Sequence, residues 1–338
     1  MIRFSEIIKN GQEFDLGKKV NKAERVSLEK TSILNKDKEE RKTTVDEVRG
    51  YYQRLLILAN KVQSWVQNKE TIDTSLIIPV LRSIIDNGLI DSLYYHLVIE
   101  GDKGDKLATH STDVTLFSLK IGIGIGYDNK RLLALAMVAF LQDVGMYEIP
   151  HDILKKRGKL SEQEFREVQR HPEIGADILS GLSDKHRWLA DMALQVHERA
   201  DGSGYPKGLK EDQIHEYAYI IGLVDMYSAM IKDRPYRNRI EQNRAMRDVI
   251  SYSKGRFPIK IVKVFLNQVS FFPVNSFVKL NDRSVGRVIS TNPDFPLKPA
   301  VEILYDNLGS RLEESRIVDL SKRPLLYITG SVDEKDIG

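Results

Sequence analysis

There is no cysteine in the chain. That excludes disulfides, cysteine nucleophiles and thiolate zinc sites together, and it fits a reducing compartment. Long apolar runs are missing too. The most apolar window, Leu132–Leu141 (LLALAMVAFL), is about half the length of a bilayer-spanning helix and predicts a buried helix instead. The first residues, MIRFSEIIKNGQEF, lack the apolar stretch and small-residue cleavage site of a signal peptide. The expectation is a cytoplasmic protein with no membrane span. A strong excess of one charge is also absent. Lys and Arg number 51 against 48 Asp and Glu, a net charge of +3, which gives no argument for DNA or an anionic membrane as partner.

What is present is an ordinary soluble composition, 41% hydrophobic and 29% charged over 338 residues. That length suits about two or three domains and a sizeable core. Residues 1–74 read as a polar and helical accessory region. Its first part is mixed in charge, as in KDKEERK, and the interleaved acids favour a solvated arm over a basic interaction arm. Within it, VDEVRGYYQRLLILANKVQSWVQ carries Val45, Val48, Tyr52, Leu55, Leu56 and Ala59 at helical spacing, as core packing or a dimerising helix would. Residues 75–270 are helical throughout. Ser161 and Glu164 have capping-box spacing at a helix start, and that helix should end before His171-Pro172. From 271 to 330 the period changes to two. FVKL, VGRVIS, AVEILY and LLYIT predict four or five short strands in a small barrel or curled sheet, followed by a tail at 331–338. The fold class is mainly α, an all-α helical core with a small C-terminal β-barrel-like domain.

IGIGIG, residues 121–126, follows a helical stretch rather than a strand. It therefore reads as a closely packed helix end and not as a phosphate-binding loop. A more informative set is scattered along the chain. His110 opens a helix. Asp143 follows the most apolar helix, where a carboxylate needs a cation or donors. His171 starts HPEIG, His197 lies near the end of a helix with Leu189, Met192, Ala193 and Val196, and Asp225 follows YIIGLV, so each of the five is expected at an end of an apolar helix. Imidazole with carboxylate suits iron, manganese or zinc. Any one of these residues alone reads equally as a hydrogen-bonded structural group, and spacing does not show that the set converges.

The motifs HSTDV (110–114), QDVGMYEIPHDILKKRGKLSEQEF (142–165), HPEIGADIL (171–179), VHERADGSGYPKGL (196–209) and IIGLVDMYSAMIKDRPYR (220–237) stand in this order. Together they resemble the HD-GYP branch of the HD-domain metal-dependent phosphohydrolases, over about Ser75 to Ser270. The resemblance implies an HD-type all-α core and hydrolysis of cyclic di-GMP at a centre of iron or manganese. It implies metal ligands at His110, Asp143, His171, His197 and Asp225, with Asp143 catalytic if the site is active. It also implies a substrate or partner loop of Asp201, Gly202, Gly204, Tyr205 and Pro206, joined by Arg237. The match departs from the family where chemistry is done. Gln142 replaces a ligand histidine, Val196 replaces another, Met146 replaces a phosphate-holding lysine, Ser228 replaces an aspartate, and Lys106 stands where three-metal members place a glutamate. A carboxamide is a weak ligand for these metals and an isopropyl group is none.

Three functions follow from this pattern. The first is a degenerate HD-GYP regulator that binds a ligand or partner, with lost or weak phosphodiesterase activity. The second is an active cyclic di-nucleotide phosphodiesterase with a reduced site of one or two ions. The third is a metal-free scaffold that docks a protein through the GYP loop or the β domain. Cyclic di-GMP or a related nucleotide, a protein partner and a homodimer are the expected partners, with no DNA.

Overall fold

The computed structural model describes residues 44–100, 106–156, 158–232, 242–269, 272, 274–292, 295 and 297–332. The mixed-charge arm before residue 44 and Arg237 fall outside the described residues. The helices are α1 (Val45–Gln67), α2 (Thr74–Asp86), α3 (Ile90–Glu100), α4 (Lys106–Ile125), α5 (Asn129–Leu141), α6 (His151–Leu154), α7 (Glu162–Val168), α8 (His171–Ser180), α9 (Trp188–Ala193), α10 (Glu216–Ile231), α11 (Gln242–Ser253) and α12 (Ile259–Gln268). A 3-10 turn, Val144–Glu148, links α5 to α6.

Local chemistry sets several of these boundaries. Asp73 caps α2 by accepting the Ser75 N–H at 2.9 Å, and Asp128 caps α5 by accepting that of Arg131 at 2.8 Å. The capping box of α7 forms as its spacing predicts. The Glu164 N–H donates to Ser161 Oγ at 3.2 Å, and the Ser161 N–H returns to Glu164 Oε2 at 2.6 Å. The helix stops at Val168, and α8 starts at His171 with Pro172 in its first turn, where a missing N–H costs nothing.

α4 is the central helix, packed against α1, α3, α5, α10 and α12. Tyr94, Phe117, Tyr227 and Phe265 form an edge-to-face ladder across it, with centroid spacings of 5.6, 5.5 and 5.3 Å. The glycines of IGIGIG end this helix. A Cβ on Gly122 would lie 2.8 Å from Leu132 Cδ2, and one on Gly124 would lie 2.5 Å from Gln268 Cγ. They serve close packing, as their helical context predicts.

The C-terminal strands are β1 (Phe277–Leu280), β2 (Val285–Ser290), β3 (Ala300–Tyr305), β4 (Arg311–Asp319) and β5 (Ile328–Val332). They form one antiparallel sheet in the order β4-β3-β2-β1-β5. Val278, Leu280, Val288, Val301 and Ile303 alternate onto its buried face. The barrel expected from the sequence is corrected here, for the sheet is open and β4 and β5 are its two edges. Alternation fixes which face is buried, but not whether the edges meet. β4 is exposed along most of its length and carries Arg311, Glu313, Glu314 and Arg316, the charged composition of a strand that ends a sheet.

Candidate metal centre

The site is built where α4, the turn after α5, the start of α8, the stretch after α9 and the middle of α10 approach one another. Two glycines bring the backbones close enough. A Cβ on Gly145 would sit 2.0 Å from the His171 carbonyl oxygen and 2.6 Å from the Gly175 nitrogen, so the 3-10 turn lies directly on the first turn of α8. That contact sets Asp143 beside His171.

All five carboxylate and imidazole groups singled out in the sequence come together. Asp143, His171 and His197 form one group, and His110, Asp143 and Asp225 form a second. Within each, the candidate donor atoms lie within 4.8 Å of one another. Asp143 belongs to both. Its Oδ1 is 3.4 Å from His171 Nε2 and its Oδ2 is 3.6 Å from His110 Nε2. His110 Nε2 donates to Asp225 Oδ1 at 2.7 Å, and its Nδ1 lies 3.4 Å from Ser228 Oγ.

Two positions differ from expectation. Asp225 is not at a helix end. It lies in the middle of α10, which continues to Ile231 because the run YIIGLV is buried and helical on both sides of it. His197 is not on the helix that carries Leu189. α9 stops at Ala193 and His197 follows in a turn, so its ring is aimed by packing and not by helical periodicity.

The donor chemistry fits a divalent cation. His171 Nδ1 donates to the Val168 carbonyl at 2.7 Å, which leaves the lone pair of its Nε2 facing His197 Nε2 at 2.9 Å. Holding one ring nitrogen this way fixes the tautomer a metal needs. Burial, then the neighbouring His171, push the His197 imidazole down to about 3, so it is neutral and available as a ligand. Nitrogen with carboxylate oxygen in each group suits iron, manganese or zinc. Neither polar atom of the buried Gln142 carboxamide has a hydrogen-bond partner among the described residues. Val196 is fully buried in the apolar core. Met146 is half-buried on the 3-10 turn.

The loop 201–206 lies against this centre. Tyr205 stacks on His197, ring planes 2° apart and centroids 5.0 Å apart, and its hydroxyl is raised by burial and by the charges of Asp225 and Asp143. A Cβ on Gly204 would lie 2.4 Å from Glu198 Cα, and Gly202 has φ +78°, so neither position accepts a side chain without a shift. Asp201 turns the loop by accepting the Ser203 N–H at 3.0 Å and pairs with Arg256 Nε at 3.3 Å. The residue that sequence reasoning missed is Glu198. It is buried, and its two oxygens accept the N–H groups of Lys207 at 2.6 Å and Leu209 at 3.0 Å, clamping the chain just after Pro206. Its only signal was its place between His197 and the glycine loop.

Residues 100–260 match the HD domain family, and residues 277–338 match a KOW domain associated with HD domains. The helical region is similar to the HD domain family over those residues. The resemblance carried by the motifs is therefore borne out. A cyclic di-GMP phosphodiesterase of Pseudomonas aeruginosa is 29% identical over 213 residues, which cover 63% of this chain and 51% of that protein. The cyclic di-GMP phosphodiesterase PdeB of Borreliella burgdorferi is 28% identical over 198 residues, 59% of this chain and 52% of that one. The chain thus spans about half the length of these relatives. The solved structure of Bd1817, an HDGYP protein from Bdellovibrio bacteriovorus, superposes with a TM-score of 0.53 at 18% identity. It covers 72% of this chain and 78% of that one, a likeness of fold. No described helix is long and apolar enough to cross a membrane.

Proposed function

We propose that this HD domain holds a metal centre and binds a cyclic dinucleotide, cyclic di-GMP or a close relative, as a regulator whose hydrolytic activity is weak or lost. The observation that carries this reading is Asp143, one carboxylate shared by two ligand groups whose missing members are Gln142 and Val196. The convergence of five ligands favours a metal over an empty scaffold. Iron and manganese are the ions we assign to it, one or two per chain, in a protein of the cytoplasm.

A divalent ion at such a centre supplies Lewis acidity and an acidified water. The chain's own residues supply position. Asp143 aligns the two halves, the Val168 carbonyl orients His171, and the loop clamped by Glu198 holds Tyr205 over His197. What the chain withholds is equally specific. Val196 offers no lone pair, Gln142 offers only a neutral amide, and Met146 offers no cation to a phosphate. Altering one group that merely orients a ligand typically costs about 10–100-fold in metal affinity or activity, and here two ligand positions and a phosphate contact are altered.

The test is metal content by elemental analysis on protein purified without oxygen or a metal-affinity tag, with cyclic di-GMP binding by calorimetry and turnover by product chromatography. We expect metal and nucleotide binding with slow or no turnover. Robust hydrolysis with iron or manganese would replace this reading with that of an active phosphodiesterase on a reduced site, which the shared Asp143 also supports. Metal near zero would leave a scaffold that docks a protein through the GYP loop.

A further inference from the structure

Asp113 lies on α4 one turn beyond His110, and Lys232 caps α10 two turns beyond Asp225. The Asp113 side chain is fully buried. Its Oδ2 is 2.6 Å from Lys232 Nζ, and its Oδ1 accepts the Tyr52 hydroxyl of α1 at 3.2 Å. His110 and Asp225 join the same two helices. α4 and α10 are therefore held by two bridges in the same order along each, one inside the candidate metal centre and one outside it.

The spacings agree. His110 to Asp113 is a rise of about 4.5 Å, and Asp225 to Lys232 is about 10.5 Å. A lysine stem spans about 6 Å and can reach back along its helix by that amount, which returns the second bridge to the level of Asp113.

Stability alone does not account for the pair. Taking a carboxylate and an ammonium out of water costs about as much as their attraction returns, and apolar residues of the same volume often do as well. The neighbouring α4–α10 contact is apolar, with Phe117 edge-on to Tyr227. Such a surface resists separation but fixes register loosely, whereas ligands must be placed to about 0.5 Å.

We propose that Asp113 and Lys232 are a positioning pair that sets the register of α10 on α4, so that Asp225 meets His110. Its consequence for metal rests on the reading of the centre given above; the register itself does not.

The test uses the full chain, first without metal. Nitrogen-15 NMR of the imidazole rings reports the proton that His110 Nε2 donates to Asp225. In Asp113→Asn/Lys232→Met and in Lys232→Gln this signal should be lost while those of His171 and His197 stay. Lys232→Arg should retain it. Metal titration should then show the His110–Asp143–Asp225 group weakened about 10–100-fold, with the Asp143–His171–His197 group unchanged. A folded Lys232→Gln with the His110 signal in place would overturn the proposal. Loss of all three histidine signals together would overturn it too, as general loosening. If the double variant does not fold, Lys232→Gln decides, because it leaves Asp113 and Tyr52 in place. If the parent takes up no metal, the metal reading falls alone and the ring signals still decide the register.

Discussion

Asp143 is the residue that both candidate ligand groups share. Asp143→Ala removes one donor from each, and elemental analysis should find bound metal near zero while circular dichroism stays helical. The two substituted positions should answer differently to repair. Gln142 already holds a large polar side chain whose amide has no protein partner among the described residues, so Gln142→His should raise metal affinity at little cost. Val196 is sealed in the core, so Val196→His must enlarge a packed site and bury a polar ring, a loss of about 1–3 kcal/mol without metal. Thermal melts with and without manganese separate the two. Equal destabilisation by both variants would show that positions 142 and 196 accept a buried imidazole at the same cost. The five residues that converge were legible in the sequence because each sits in a distinctive motif. Glu198 was not, since a carboxylate in HERADGSG looks like a solvated group until Lys207 and Leu209 are seen to donate to it.

At the scale of elements, the decisive contact is backbone on backbone. Gly145 lets the 3-10 turn touch α8, and Gly145→Ala would force its Cβ into the His171 carbonyl. The turn and helix must separate, moving Asp143 away from His171. We expect a loss of about 1–3 kcal/mol, read from a denaturant midpoint, together with weaker metal binding. An unchanged metal titration in a destabilised protein would show that the contact supports the fold and not the ligands. Elements defined by local signals were legible: α1 by its apolar spacing, α7 by Ser161 and Glu164, and β1, β2 and β3 by alternation; β4, charged along most of its length, was not, and LLYIT shares only Ile328 and Thr329 with β5. Elements defined by distant contacts were not. Nothing local shows that the helix from Trp188 stops at Ala193, that Asp225 falls mid-helix, or that β4 and β5 fail to meet.

For the whole molecule, the burial that keeps the His197 imidazole neutral also makes the fold sensitive to acid. Its imidazole titrates near 3 in the folded chain against an ordinary 6.5. Protonation therefore favours the unfolded chain. The stability that His197 contributes is complete above pH 6.5 and is lost as pH falls from there towards 3. The slope is at most about 1.4 kcal/mol per pH unit for one proton, and the whole effect is on the order of a few kcal/mol. Asp113 runs the other way, because burial raises its carboxyl in spite of Lys232. Protonation of that group favours the folded chain, so a single curve mixes both signs. The difference between parent and His197→Gln isolates the histidine. Urea midpoints of metal-free protein should fall between pH 6.5 and 4.5 in the parent and stay flatter in the variant. Parallel curves would mean that His197 takes up its proton at the same pH in the folded and unfolded chain, so that burial does not hold it neutral. Iron or manganese should raise the parent's stability at pH 7 and lose that effect on acidification, since metal and proton compete for the same lone pair.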